Sequence, residues 1–575
     1  MKTVATVEMK PMGGRKKIIP IVMAIGNKIL NQLGFAEKID TSLEWDKGQW
    51  GISPGKLLKA VVLSTFVDIR TPLTRLQDRL SGIDLRYLIG EEAADKDINS
   101  FNTGRALERL GTSDCDVIYE ALALNAVQMN GIPMERLHSD TTTISFYGEY
   151  DIDMEKMDLT DEEKAELLQI ERGYNKDGRP QSKQVVAGQI VNEAGIPITS
   201  RTMDGSTSDV VWNEEAIKYL REIQQKGFAT GIYVADCKLI NSGLVTNMME
   251  GDNPIKFVSR CPANFEEKLE SRAIKKAYEA GNWEEYGRLT DEENAAKYRG
   301  IALVETACSH TVRLLVVESS SLADKAELSI EKEKDQLMPK IRTLEKKRFA
   351  CYADASAECV KFFNNKDARL FCATTRIEQI IKEKWPRGRR KADVKPIVEE
   401  TYKIIVEQVE RNEEVCKWFL RNESSFVLIS NVFNELSDKD LLATYKGQQI
   451  VENSFRLLKQ PQLASVIYLK NPYRIKALSM ILSFSLLIRA IIQFQLRDGL
   501  RTFKEEYPDR KLYVGWNGRE LINPTYRLLY EHSFDCYFER EGCGKYSFAW
   551  PFVESKERVG TLLWLMGLDV LDLIE

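Results

Sequence analysis

Apolar residues recur at helix spacing and then at strand spacing along the first half of the chain. Over residues 17–134, segments such as KLLKAVVLSTFV show the i, i+3, i+4 pattern of amphipathic helices, with short turns containing Pro or Gly between them. From Arg136, the β-branched and aromatic residues of RLHSDTTTISFYG predict a strand. An acidic helix follows at LTDEEKAELLQIE, and Glu193-Ala194-Gly195 then joins VVAGQIVN to IPITSRTM. We therefore expect a helical N-terminal region followed by a three-stranded meander.

Helices and strands alternate after the meander. A helix is predicted over about 213–226, then a strand in GIYVADCKL that ends at Asp236, then a second helix and the strand PIKFVSR. The predicted order is β-β-β-α-β-α-β, with Asp140 on the first strand. Acids are rare in strands, and the carboxyl ends of strands are a common place for functional side chains in α/β folds. Asp140 and Asp236 are therefore candidate site residues.

A third acid lies in the sequence YKGQQIVENSFRLLK, residues 445–459, which has the pattern of one amphipathic helix. Glu452 occurs among its apolar positions, and a carboxylate directed towards a core needs a cation or a metal ion. Local spacing alone favours an ion pair with Arg456 at i+4. Tyr445 and Lys459 each lie seven residues from Glu452, about two turns of a helix, so the pattern predicts all three on one face.

Composition narrows the class of protein. A chain of 575 residues is long enough for several domains, and its formal net charge of −5 gives no indication of a nucleic-acid partner. Ten cysteines without a CxxC pair argue against a zinc ribbon, and together with the lack of a signal peptide they predict reduced thiols in a cytosolic protein. The apolar run 477–492, interrupted by Arg489, is too short to span a membrane and predicts a buried core helix.

The charge is unevenly distributed. Residues 149–171 contain ten acids and two lysines, whereas residues 342–391 contain fourteen Lys and Arg against six acids. Local patches of this kind, and not the total charge, attract a polyanion. Trp385 lies among cations of the second stretch that include Arg387, Arg389 and Arg390. This combination fits contact with a DNA backbone and base stacking, or equally a surface loop with a partly buried Trp.

The spacing Tyr445-(2)-Gln448-(3)-Glu452-(6)-Lys459 closely resembles the Y-(2)-R-(3)-E-(6)-K signature of DDE transposases of bacterial insertion sequences, with Gln448 where that subgroup has Arg. HSDTTT around Asp140 and VADCKL around Asp236 precede it in the order of the family. The residues around the predicted hairpin also resemble the family: Gly173, Asp177, Arg179, Pro180, Gln184, Gly205 and Asp209.

The resemblance implies an α/β fold: a ribonuclease H-like core, with a mixed five-stranded sheet and flanking helices, interrupted by an inserted domain and preceded by a helical N-terminal domain. The separation of 216 residues from Asp236 to Glu452 exceeds what a compact core needs, which predicts the insertion. SSFVLISNV is predicted to be a strand returning to the core. The expected divisions are an N-terminal domain that binds DNA, two core parts around the insertion and a C-terminal helical region: 1–134, 135–265, 266–424, 425–499 and 500–575. Within the first, SPGKLLKAVVLSTFVDIRTPLTRLQDRL fits a helix-turn-helix, with Pro72 opening its second helix, or a plain helical bundle.

The resemblance also implies the chemistry. Asp140, Asp236 and Glu452 would be the catalytic residues and the ligands of two Mg²⁺ ions, for which Mn²⁺ can substitute. The activity would be cleavage at transposon ends and transfer of the 3′-hydroxyl ends into target DNA. The alternatives are a nuclease without strand transfer and a non-catalytic DNA-binding protein descended from a transposase. The implied partners are double-stranded DNA and a second copy in a homodimer on paired ends, without a membrane, in a prokaryotic cytoplasm at the nucleoid. The expected DNA contacts are Tyr445, Gln448, Arg456, Lys459, Trp385, Arg387, Arg389, Arg390 and His138, which is otherwise an ordinary packed histidine.

Overall fold

The computed structural model describes residues 17–67, 75–90, 92–146, 150, 160, 164, 167–385, 395–459, 471–514, 519–541, 545–550 and 552–574. It is a mixed α/β protein whose chain forms two compact units. Unit 1 comprises Met1–Leu239, Gly251–Phe257 and Thr444–Glu575, and unit 2 comprises Ile240–Glu250 and Val258–Ala443. Unit 1 contains residues on both sides of the predicted boundary at 134, and the whole of the predicted insertion 266–424 lies in unit 2.

The N-terminal region is helical, as predicted, apart from the short strand β1 (Ile18–Pro20). Its helices are α1 (Ile21–Gln32), α2 (Phe35–Ser42), α3 (Pro54–Ser64), α4 (Leu76–Arg79), α5 (Leu85–Ile89), α6 (Ser100–Gly111) and α7 (Cys115–Met129). Asn99 caps α6 by accepting a hydrogen bond from the Asn102 backbone N–H. In the described part of the second segment of the proposed helix-turn-helix, the α-helical residues are the four of α4, and Pro72 lies outside the described residues.

The predicted order β-β-β-α-β-α-β is confirmed. Its elements are β2 (Arg136–Phe146), β3 (Lys183–Asn192), β4 (Pro197–Met203), α8 (Asp209–Gln225), β5 (Ile232–Ala235), α9 (Ser242–Met249) and β6 (Phe257–Arg260). Helix α8 begins four residues before the predicted start because Ser208 caps it, accepting a hydrogen bond from the Val211 backbone N–H. This earlier start places Asp209 in the first turn of a helix.

In unit 1 the strands lie in the order β4-β3-β2-β5. Strands β2, β3 and β4 are antiparallel, and β2 and β5 are parallel with His138 opposite Val234. Trp212 of α8 covers this sheet: a Cβ on Gly188 would lie 2.4 Å from its ring, and its indole N–H donates to the Ser139 hydroxyl at 2.9 Å. Glycine at position 188 therefore allows α8 to lie close to the sheet.

The second unit is built on an antiparallel meander. Its further elements are α10 (Leu269–Ala280), β7 (Glu284–Arg288), β8 (Lys297–Ala307), β9 (His310–Ser319), α11 (Ser320–Lys346), α12 (Tyr352–Phe363), β10 (Phe371–Lys384), β11 (Ile397–Arg411), α13 (Glu413–Glu423) and β12 (Ser425–Ser430). The segment SSFVLISNV contains a strand as predicted, β12, whereas its return to a ribonuclease H-like core stays a prediction. Strand β12 pairs with β9 and with 258–260 of β6, all within unit 2.

The basic stretch 342–391 contains an element that the sequence did not predict. Strands β10 and β11 form a long two-stranded antiparallel ribbon. Several of its cations are paired with acids on the facing strand, including Arg376 with Glu407 at 2.8 Å. The excess positive charge counted along the sequence is therefore partly neutralised by β11, which lies outside the counted stretch.

The last part of the chain contains α14 (Asp438–Lys446), α15 (Gln449–Leu458), α16 (Pro472–Glu506), α17 (Tyr526–Ser533), β13 (Tyr537–Arg540), β14 (Tyr546–Ala549) and α18 (Val553–Leu565). Strand β13 lies between β1 and β14 in a small separate sheet. Among the described residues, α16 alone is long and apolar enough to cross a membrane, but 89% of its most apolar window is buried inside the protein. The prediction of a buried core helix at 477–492 is confirmed.

Candidate active site

Two of the predicted acids lie at the same end of a pair of parallel strands. Because His138 on β2 is opposite Val234 on β5, Asp140 and Asp236 each follow this pair by two residues. Burial raises the pKa of Asp140, and the nearby Asp209 carboxylate raises it further against the opposing effect of Lys176. Burial likewise raises the pKa of Asp236, to which the carboxylates of Asp209 and Asp140 add. The three carboxylates therefore form one electrostatic cluster.

Lys176 neutralises part of this cluster. Its ammonium lies 3.4 Å from Asp140 Oδ1 and 3.0 Å from Asp209 Oδ1, and it donates to the Thr141 hydroxyl at 2.7 Å. Burial lowers the pKa of Lys176, but Asp140 and Asp209 outweigh this and hold it above its ordinary value. A cation is therefore stabilised between an acid of β2 and an acid in the first turn of α8.

Glu452 lies on α15 and lines a cavity of about 550 Å³ together with Asp140. The other lining residues are Thr141, Thr142, Lys176, Asp177, Phe455, Arg456 and Lys459. The expectation that Glu452 points towards the core is wrong: it is exposed, whereas Val451, Phe455 and Leu458 of the same helix are buried. The carboxylate therefore needs no buried partner and faces the cavity.

The stretch 445–459 is two helices and not one. The hydrogen bonds Gly447 N–H to Thr444 O, Gln448 N–H to Tyr445 O and Ile450 N–H to Gly447 O are of the tight i to i−3 kind. Such a turn has about three residues instead of 3.6, so side chains seven apart no longer project from one face. The predicted common face of Tyr445, Glu452 and Lys459 is therefore wrong for Tyr445, although Glu452 and Lys459 do line the same cavity.

The junction between α14 and α15 is fixed against β2. A Cβ on Gly447 would lie 2.9 Å from Cε1 of His138, and the side-chain amide of Gln448 donates to the Ser139 carbonyl at 2.6 Å. His138 is only 1% exposed, and burial lowers its pKa to about 4, so the imidazole is neutral. His138 is therefore buried against the junction, and Gln448 fixes the junction to β2. The DNA contact of the half-buried Gln448 stays a prediction.

The remaining predicted contacts near Glu452 have different surroundings. The ammonium of Lys459 lies 2.6 Å from Asp177 Oδ1. Arg456 is exposed and lines the cavity. Tyr445 is half-buried in α14 and is not among the lining residues. Lys459 and Arg456 are therefore the two predicted contacts that accompany Glu452.

The predicted contacts of the basic stretch belong to unit 2. Trp385 directly follows β10 and is 40% exposed. Arg387, Arg389 and Arg390 lie outside the described residues, so their role as DNA contacts stays a prediction.

The donor chemistry of the site suits a hard divalent cation, because the candidate ligands are carboxylate oxygens. The arrangement is less complete. Within the described ranges, no group of three or more His, Cys, Asp or Glu side chains is close enough to hold a metal ion. Asp140 and Glu452 share the cavity and Asp236 is coupled to Asp140, but the expected three-ligand group of these acids is not assembled in this conformation.

Sequence reasoning did not find the roles of Lys176 and Asp209. Lys176 lies in the loop GYNKDGRP. The position of a lysine in a loop does not predict which strand its side chain will contact. Asp209 is one of the residues that resemble the transposase family. The sequence signal for its position is Ser208, a good helix cap that places an acid in the first turn of α8.

Comparisons with known proteins identify one region of the chain. Residues 18–124 match a domain of unknown function, DUF4277. This range covers α1 to most of α7 and ends before β2. No curated protein matches the chain.

Proposed function

We propose that the chain is a DDE transposase that cleaves DNA at transposon ends and transfers the 3′-hydroxyl ends into target DNA. In this proposal β2 to β6, with α8 and α9, begin a ribonuclease H-like core, and α15 supplies its last acid. The N-terminal helices, residues 1–134, would bind DNA, and two copies of the chain would hold the paired ends.

One observation carries the proposal: two acids that are far apart from Asp140 in sequence, Asp236 and Glu452, each lie near Asp140 in the structure. Asp140 lies within β2 and Asp236 directly follows the adjacent parallel strand β5, each two residues beyond the pair His138 and Val234. Glu452, 216 residues after Asp236, lines the same cavity as Asp140. Chance seldom brings such residues to one edge of a sheet together with the order of motifs that resembles the family. Perturbed carboxylates in a cleft also favour a functional site.

The charge of each side chain determines its proposed role at the site. Lys459 and Arg456 at the cavity can each bind a phosphate oxygen of the DNA end. Gln448 and Gly447 hold α15 against β2 and so set the position of Glu452 relative to Asp140. Asp140, Asp236 and Glu452 would hold Mg²⁺ or Mn²⁺, which would supply charge stabilisation at the phosphate under attack.

The experiment uses the purified full chain, Mg²⁺ and a plasmid carrying the DNA that flanks the gene. We expect nicks at two inverted repeats and joined products in which those ends have entered a target plasmid. Nicks at the repeats without joined products would make the protein a nuclease without strand transfer. The absence of both nicks and joined products, with binding to the repeats intact, would overturn the enzymatic proposal.

The second candidate is a non-catalytic DNA-binding protein. The contacts of Lys176 favour it, because an ammonium already occupies the space between Asp140 and Asp209. If this is correct, Lys176→Met should leave the plasmid uncut in Mg²⁺. If the enzymatic proposal is correct, wild-type protein cuts and Lys176→Met changes the Mg²⁺ concentration needed for half-maximal cutting, because the variant lacks a competing cation.

A further inference from the structure

A second cavity, of about 620 Å³, lies along another side of α15. We call it the arginine cavity. The apolar residues Ile450, Leu457, Leu486 and Ala490 line it, together with four arginines: Arg456, Arg489, Arg497 and Arg527. Arg456 also lines the cavity that contains Asp140 and Glu452, so α15 is a shared wall.

Arg489 is the unusual member of the set. It is 8% exposed, and its Nη2 donates to the Thr65 carbonyl at 2.7 Å. The guanidinium carbon lies 5.4 Å from the ring centroid of Phe66 and 5.0 Å from that of Tyr526, and its buried Nε has no hydrogen-bond partner. No ion pair joins it to a carboxylate in the described part of the chain. A buried charge is costly without a counter-charge, which points to an anionic ligand.

The other groups around the cavity do not provide that counter-charge. Arg497 Nε donates to the Pro524 carbonyl at 3.1 Å, and burial lowers the pKa of Arg497. The Glu193 carboxylate lines the cavity but accepts hydrogen bonds from the backbone N–H groups of residues 135 and 136. Among these four arginines, Arg527 is the one that has an acid of the described residues at ion-pair distance, Glu531 at 2.7 Å on the surface of α17. The cavity therefore carries a net positive charge.

We propose that the arginine cavity binds a backbone phosphate of the DNA strand whose scissile phosphate lies at Asp140 and Glu452. The planar fork of a guanidinium matches the oxygens of a phosphate, and Tyr526 and the apolar walls leave room for an adjoining sugar or base. This assignment of DNA as the source of the phosphate rests on the proposed function. The phosphate chemistry itself rests only on the cavity.

The test measures binding of two probes to the full chain at fixed ionic strength: a 5′-phosphorylated single-stranded oligonucleotide and inorganic phosphate. Arg489→Met removes the buried charge at similar length. Arg527→Gln changes a side chain that is 84% exposed, so folding should be retained. Arg501→Gln is the matched control, because Arg501 lies on α16 with Arg489 but pairs with Asp498 on the surface. Melting curves show whether each variant is folded.

We expect Arg489→Met to weaken oligonucleotide binding about 10-fold or more, the size typical of a lost hydrogen bond to a charged group. Arg527→Gln should weaken it less, and Arg501→Gln should not change it. Wild-type affinity of Arg489→Met and Arg527→Gln for both probes would overturn the proposal. Loss of inorganic phosphate binding alone would refute DNA as the ligand and leave a free-anion site. Cleavage is assayed separately on wild-type protein. If the protein does not cleave DNA, the proposed function fails, but an affinity for the oligonucleotide that depends on Arg489 would still support the arginine cavity as a phosphate site.

Discussion

In the proposed function, single charged side chains determine how the candidate site binds a phosphate. Lys459 is 25% exposed and close to Asp177, so its ammonium is positioned by a carboxylate but still open to the cavity. Lys176 is held by two acids and a hydroxyl. We therefore assign phosphate binding to Lys459 and local charge compensation to Lys176.

Replacing Lys459 should change DNA binding in a way that depends on salt. We expect Lys459→Gln to weaken binding of end DNA and to reduce the slope of log affinity against log salt by about one, because one phosphate contact is lost. Filter binding or fluorescence anisotropy over a range of salt concentrations measures both quantities. Lys226→Gln, an exposed lysine at the end of α8, serves as the control. Equal slopes for wild type and Lys459→Gln would show that Lys459 serves only to hold Asp177.

Lys59 on α3 gives a prediction about stability in the region that matches DUF4277. It is 6% exposed and donates to Asn31 Oδ1 at 2.5 Å and to the Leu88 carbonyl at 2.8 Å, and burial lowers its pKa to about 8. Between that value and the ordinary 10.5, the unfolded chain binds more protons than the folded one, so stability should rise with pH.

We therefore expect the melting temperature of wild type to rise relative to that of Lys59→Met as the pH rises from 8 to 10.5. The comparison between the two proteins cancels the titration of other groups. A difference in melting temperature that stays constant over this interval would mean that Lys59 does not lose its proton in the folded protein.

At the scale of elements, the short junction between α14 and α15 sets the position of Glu452. The tight turn at Gly447, its contact with His138 and the Gln448 hydrogen bond to β2 fix α15 against the strand that carries Asp140. A small displacement of α15 would therefore change the separation of the two acids while the helices themselves remain.

Gly447→Ala tests this dependence. The added Cβ would lie 2.9 Å from Cε1 and 3.1 Å from Nε2 of the buried His138 ring, so α15 or the ring must shift. We expect DNA cleavage to fall by at least about 10-fold, since displacements of about 1 Å reduce catalysis strongly, while the circular dichroism spectrum is retained. Gly560→Ala on α18 is the control, because its Cβ meets nothing within 4 Å. Cleavage by Gly447→Ala at the wild-type rate would show that the junction does not control the activity.

The sequence predicted the elements whose signals are local. The β-branched run of β2, the apolar strand of β5 and the hairpin of β3 and β4 follow from residue pattern alone. The break at Gly447 could not be predicted this way, because it depends on contacts with His138 and Ser139, about 309 residues earlier. The β10–β11 ribbon was missed for a similar reason, since its cations are paired with acids of a strand beyond the counted stretch.

At the scale of the whole molecule, the chain leaves unit 1 twice and returns each time. It enters unit 2 over Ile240–Glu250 and again over Val258–Ala443, so Asp236 and Glu452 belong to unit 1 although most of unit 2 separates them in sequence. A long insertion between two parts of one site is what the 216-residue interval predicted. The buried helix α16, which contacts α6, α7 and β4, forms the core of unit 1.

The central claim is that Glu452 acts with Asp140 and Asp236 on DNA, and the most direct measurement is cleavage of end DNA by Glu452→Gln in Mg²⁺. The substitution keeps the size of an exposed side chain and removes only its charge, so the fold and DNA binding should be retained. Glu505→Gln, an exposed acid on α16, is the matched control. We predict that Glu452→Gln loses at least about 100-fold in cleavage rate, as expected when a ligand of a catalytic metal is removed, while Glu505→Gln cuts like wild type. Wild-type cleavage by Glu452→Gln would contradict the account.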